Sequence, residues 1–255
     1  MTARGLRLLA AGWAWTTLGG CAAMWDEVTS REFSLKNYVS PPDPMTVLKT
    51  SKDGDARAKA YARLKEPARS GRSQAEQDEV VEMLSRAALS DPQPLCRMAA
   101  IRTLGTFQDP RAVTTLIAAY ESADQLTPEP AAMVRCQTMR ALGETRKPEA
   151  ANFLVEIAKK PVKVDLADRE RALARDIRLA AIRSLKNFPE YGNVTSAVQM
   201  LATQEKDVAV RDRAREAYVA MTGRQPTDVP EVRPDTGVPE RPGSPVVTVG
   251  HSQSR

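Results

Sequence analysis

Leu95-Cys96-Arg97-Met98-Ala99-Ala100-Ile101-Arg102-Thr103-Leu104-Gly105, followed by Thr106-Phe107-Gln108-Asp109-Pro110, is the stretch that decides the fold. Its pattern is an arginine, an alanine three residues later and a leucine seven later. The arginine recurs as Arg57, Arg97, Arg135, Arg178 and Arg211, at spacings of 40, 38, 43 and 33 residues. Three residues on stand Ala60, Ala100, Thr138, Ala181 and Ala214. Seven on stand Leu64, Leu104, Leu142, Leu185 and Tyr218. One before stand Ala56, Cys96, Val134, Ile177 and Val210. Offsets of −1, +3 and +7 share one face at 3.6 residues per turn, so each copy predicts a helix with that face buried. A period near 40 residues is the mark of a repeat array.

A second helical pattern precedes each copy. Pro110 leads into Val113, Leu116, Ile117 and Tyr120, and Pro148 into Ala151, Leu154, Ile157 and Ala158. Proline suits a first helical turn, where its missing N–H has no helical partner. Near Tyr191 the run is Val194, Ala197, Val198 and Leu201. The units are therefore helical hairpins. The expected pairs are 43–50 with 54–65, 75–89 with 94–107, 110–121 with 130–145, 148–159 with a helix from about Leu166, and 191–203 with 207–222. Glu66 to Ser73 reads as a polar loop, and Gly105 and Gly143 as residues that loosen a last turn.

The runs VRCQTMRALGETRKPEAANFLVEIA and DIRLAAIRSLKNF resemble bacterial HEAT repeats. The resemblance covers residues 43–222. It implies an all-α, HEAT-like α-solenoid of about five hairpins whose second helices line the concave side. It also implies a ladder of acid–arginine pairs between neighbouring repeats. Asp91, Glu129 and Glu205 stand six residues before their arginines, whereas Ser51 and Ala172 occupy that offset in repeats one and four. Such a fold is specific about architecture and silent about activity.

Residues 1–20 read as a lipoprotein signal peptide. Arg4 and Arg7 precede a short apolar run from Leu8 to Leu18, a secretory layout too short for the ~20 residues of a membrane span. Leu18-Gly19-Gly20-Cys21 resembles the bacterial lipobox, which implies lipidation of Cys21. Ala22 after it favours the outer membrane over inner-membrane retention. The expected location is thus the bacterial cell envelope, lipid-anchored, outer membrane or periplasm-facing. Residues 21–42 form a lead-in segment whose Trp25, Phe33 and Tyr38 are expected to cap the first repeat, because terminal repeats must cover an open apolar face. After Gly223 the prolines multiply and periodicity ends, so 223–255 reads as a disordered Pro-rich tail.

The chain has 255 residues, 5% aromatic, with a net charge of +5. Arg4 and Arg7 supply two of those charges. The remaining mild excess is no dense basic patch, so a nucleic-acid partner is not expected. Cys96 lies on the core face and Cys136 on a flank, so both are expected as free thiols. The one histidine, His251, sits in the tail, which argues against a histidine triad or a His-ligated zinc. There is no CxxC and no glycine-rich phosphate loop. Asp168-Arg169-Glu170 and Glu76-Gln77-Asp78-Glu79 read as solvated helix surface. No catalytic residue, metal ligand or cofactor is assigned, and the chain is not expected to be an enzyme.

The expected role is a lipid-anchored envelope scaffold that binds a protein or peptide. The alternatives are a structural envelope tether and a HEAT-like lyase-type enzyme. Candidate partner-binding residues are Arg102, Arg140 and Arg183, each five residues after a repeat arginine and about 140° around the helix from it. Lys59 and Gln137 share that face and Glu216 ends it. An arginine row of this kind suits an acidic partner.

Overall fold

The computed structural model describes residues 42–163 and 165–226. Cys21, the lead-in aromatics Trp25, Phe33 and Tyr38, and the tail beyond Pro226 lie outside the described residues. Among those described there are ten α-helices and no strand. The architecture is all-α, of the HEAT-like α-solenoid class. Two compact units divide the chain, Met1–Lys147 and Pro148–Arg255.

The first unit holds three hairpins. They are α1 (Pro44–Thr50) with α2 (Gly54–Arg63), α3 (Gln74–Ser90) with α4 (Pro94–Gly105), and α5 (Arg111–Ser122) with α6 (Pro128–Thr145). Local chemistry sets the starts. Asp43 accepts from the Thr46 amide, and Asp53 from those of Asp55 and Ala56. Ser73 and Glu76 form a reciprocal capping box on α3. Each satisfies amides that a helix start leaves without partners. Pro44, Pro94 and Pro128 occupy first turns, as expected of proline.

Helices pack in two layers. α3 lies against α5 in one layer; α2, α4 and α6 lie side by side in the other. The repeat columns form the seam. Ala60, Ala100 and Thr138 are buried, as are Leu104 and Leu142 and, in the column before the arginine, Cys96 and Val134. Leu84, Ile101, Leu116 and Met139 complete the core. Each fully buried side chain of this size contributes about 1.5–3 kcal/mol relative to exposure. Leu64 departs from its column: it follows the end of α2 and is half-buried.

Gly105 has a different reason from the one its position suggests. A Cβ there would lie 2.8 Å from both Cα and Cβ of Ala141. The residue is glycine because α4 and α6 approach that closely. The Glu66–Ser73 connection is also more than a polar loop. It contains a 3-10 turn, Pro67–Ser70, and buries the Glu66 side chain.

The second unit holds two hairpins, α7 (Pro148–Lys159) with α8 (Asp168–Leu185), and α9 (Gly192–Gln204) with α10 (Val208–Thr222). α7 packs on α9 and α8 on α10, repeating the two layers. Ala181 and Ala214 are buried in the small-residue column, and Leu154, Ile182, Leu185, Phe188 and Val198 fill the core. Tyr218 is half-exposed, unlike Leu104, Leu142 and Leu185 at its offset. Gly223 closes α10 at φ 68°, its amide donating to the Val219 carbonyl at 2.8 Å. That left-handed position is one glycine adopts without strain.

Candidate functional site: a groove on the second-helix layer

The repeat arginines are structural. In four hairpins the guanidinium donates to a carbonyl near the C-terminus of its own first helix. Arg97 reaches Asp91 O at 2.7 Å, Arg135 reaches Tyr120 O at 3.2 Å, Arg178 reaches Ala158 O at 3.0 Å and Arg211 reaches Glu205 O at 3.0 Å. Terminal carbonyls lack helical donors and carry the negative end of the helix dipole, so a cation there meets both needs. Burial pulls the Arg97 guanidinium below its ordinary value, partly offset by Asp91.

The acid–arginine ladder exists in part. Arg57 pairs with Asp91 of the next hairpin at 3.0 Å, and Arg178 with Glu205 of the next at 2.6 Å. The Arg97 rung has a different composition, with Ser122 O at 3.3 Å and the Gln125 side chain at 3.4 Å as acceptors. Arg135 pairs within its own hairpin, with Asp124 at 2.5 Å, and stacks over Tyr120 at 5.1 Å. The connection after α5 folds as a 3-10 turn, Ala123–Gln125, and this brings Asp124 and Gln125 to the arginines. No fixed offset from the arginine identifies those two.

Cys96 and Cys136 are free thiols. Burial pushes the Cys96 thiol up; its Sγ donates to Gly54 O at 3.2 Å. This thiol is buried against the start of α2, and burial disfavours its thiolate form. The Glu76–Glu79 run needs one correction. Glu76, Asp78 and Glu79 are exposed, but Gln77 is buried and bonded to Glu66 and Asp109. Among the described residues no group of three His, Cys, Asp or Glu side chains could hold a metal ion. No described helix is long and apolar enough to cross a membrane.

With the core taken by offsets −1, +3 and +7, the second helices show their other face at −2, +1, +2 and +5. In α2 this face is Asp55, Ala58, Lys59 and Ala62; in α4 it is Leu95, Met98, Ala99 and Arg102. Each set has the i, i+3, i+4, i+7 spacing of a single stripe. The two stripes, with Gln137 of α6, enclose a groove of about 410 Å³. Its apolar wall is open to solvent at Leu95, which is 47% exposed; Met133, at the same register on α6 but outside the groove lining, is 55% exposed.

Arg102, Arg140 and Arg183 are all exposed. Arg102 lines the groove, Arg140 occupies the same register on α6, and Arg183 does so on α8 of the second unit. None of the three has an ion pair or side-chain hydrogen bond among the described residues. Lys59 and Gln137 line the groove with Arg102. Glu216 is paired with Arg213 at 2.6 Å. Leu95, Met98 and Met133 were hidden from the repeat reading because it follows the core columns. The signal for them was present: α4 is apolar on both faces.

Comparison with known proteins agrees with this architecture. A family model described as HEAT repeats matches residues 42–131, which span the first two hairpins and the opening of the third. No curated protein matches the chain. Over the matched residues the chain is similar to a repeat class used for protein interaction and scaffolding, and every groove-lining residue but Gln137 falls within that stretch.

Proposed function

We propose that the protein is a lipid-anchored envelope scaffold, not an enzyme, and that it holds a protein or peptide partner on the second-helix face of its first unit. The carrying observation is the groove between α2 and α4, where a large apolar side chain stands open beside an arginine with no partner among the described residues. Exposed Leu95 and partly exposed Met98 wall the same groove, and repeat arrays present extended surfaces suited to long ligands. The anchor is Cys21, supported by the charged start, the apolar run and the small residues before it. Ala22 supports placement at the outer membrane.

Two measurements test this role. Labelled fatty acid should enter the wild-type chain in a bacterial host, and Cys21→Ala should block both labelling and signal cleavage. A photo-crosslinking residue in place of Met98 should join the membrane-anchored protein to one partner in envelope extract. Normal labelling of the Cys21→Ala chain would remove the anchor. Absence of any stoichiometric crosslinked partner would remove the scaffold.

A further inference from the structure

The occupant of this groove can be specified further, on the premise that the second-helix face is a docking surface. We infer that the groove takes an acidic peptide segment that inserts one leucine-sized apolar side chain between α2 and α4 and sets its carboxylates against Arg102 and Arg140.

The floor argues for the anchor. Ala58, Ala62 and Ala99 are small, so the space between the helices is left open, and Leu95 and Met98 wall it with apolar surface. Methionine adapts its three torsions to irregular partners, which suits a side chain of variable shape. The volume of about 410 Å³ holds a side chain or two together with the main chain beside them.

The rim argues for the charge. Cations at this register are Lys59, Arg102 and Arg140; the one carboxylate is Asp55. The electrostatic balance of the face is therefore positive. Most arginines of the described chain are engaged: Arg86 with Glu82 at 2.6 Å, Arg111 with Asp78 at 2.8 Å, Arg213 with Glu216 at 2.6 Å. Arg102 and Arg140 stand outside these pairings among the described residues. A guanidinium offers a planar fork that a carboxylate accepts bidentately. Asp55 on the opposite wall works against a phosphate dianion and is tolerated by a carboxylate set near Arg102. The apolar wall would be wasted on a headgroup alone.

The test uses the full chain and a random dodecapeptide library displayed on phage. Selected peptides should be net acidic and share one Leu, Met or Phe. A synthetic consensus peptide should bind wild type and lose at least tenfold in affinity to the Arg102→Glu/Arg140→Glu double variant and to Leu95→Glu. Arg86→Glu, on the first-helix layer at α3, should bind as wild type. Unchanged thermal midpoints of these exposed variants show that the fold is kept. Binding should weaken as salt rises. Neutral or basic consensus peptides, or equal binding to the double variant, would overturn the inference. So would phosphatidylglycerol vesicles that bind wild type and displace the peptide. The Met98 crosslink reads the scaffold role whatever the partner's charge, so the two readings fail separately.

Discussion

Arg178 Nη2 lies 2.6 Å from Glu205 Oε2, while its Nε donates to the Ala158 carbonyl at 3.0 Å. One side chain thus closes the end of α7 and ties the fourth hairpin to the fifth. Burial pushes the Glu205 carboxyl up, but the Arg178 hydrogen bond and the amides of Asp207 and Lys206 more than offset it and leave it below its ordinary value. Both partners are shielded from water, at 6% and 18% side-chain exposure. Arg178→Ala strands the carbonyl and the carboxylate together. It should cost about 3 kcal/mol or more, read as a lower urea midpoint. Arg178→Lys keeps the charge without the fork and should recover only part of that. A loss of under about 1 kcal/mol in the alanine variant would show the rung to be dispensable.

Acid should weaken the first unit through Asp109. Hydrogen bonds from Arg111, opposed by burial and joined by Gln77, lower its carboxyl to about 2. A carboxyl depressed on folding stabilises above its unfolded value near 4 and loses that contribution as pH falls through the folded value. Asp109 therefore contributes fully at neutral pH and progressively less from about pH 4 to about pH 2. Water screens the half-exposed Arg111, so the contribution stays under about 2 kcal/mol. Urea midpoints measured from pH 7 to pH 2 should fall less steeply below pH 4 in Asp109→Asn than in wild type. Identical acid slopes would exclude this residue as a source.

The hairpins were legible because the arginine, alanine and leucine columns all report one physical fact, the buried face of the second helix. Ala60, Ala100, Ala181 and Ala214 are buried as that face requires. The limits of the reading follow from the same cause. Leu64 and Tyr218 belong to the column by sequence, yet Leu64 falls beyond its helix and Tyr218 is only half-buried. Asp124, Gln125 and Glu66 act from irregular connections, whose backbone path no periodicity encodes. Arg102 and Arg140 could be placed on the outer face by angle alone. Leu95 and Met98 could not be chosen among apolar residues until the core had claimed its own.

Gly105 tests the approach of α4 to α6. An added methyl group would lie 2.8 Å from Ala141 Cα, and backbone cannot step aside as a side chain can. Gly105→Ala should cost about 1–3 kcal/mol by forcing the helices apart. Gly192, with nothing within 4 Å of its notional Cβ, opens α9. Gly192→Ala should be neutral or stabilising by up to about 1 kcal/mol, since it restricts the unfolded chain. Thermal melts of the pair should move in opposite directions or differ by the full cost of the clash. Equal midpoints would mean that α4 and α6 have room to spare.

Glu66 holds the first two hairpins to the third. Its side chain is buried, and its oxygens accept from the Gln108 amide at 2.9 Å, the Asp109 amide at 3.0 Å and Gln77 Nε2 at 3.3 Å. Gln77 continues the network, donating to Asp109 Oδ2 at 3.1 Å and accepting from the Ala68 amide at 3.0 Å. Glu66→Ala would leave two backbone amides with no acceptor, each worth about 1–3 kcal/mol when buried. A destabilisation of about 3 kcal/mol is expected. Glu66→Gln should recover most of the loss, because one oxygen, Oε1, accepts from the Gln108 and Asp109 amides and from Gln77, and an amide oxygen there keeps those bonds. Gln77→Ala should cost about 1–2 kcal/mol for its own lost bonds. The two residues share partners, so the double variant should be less destabilised than the sum of the singles, by about 0.5 kcal/mol or more. Urea unfolding of the four chains measures this coupling. Strict additivity would mean that Glu66 and Gln77 act on separate parts of the connection, and the network would have to be redrawn as two local caps.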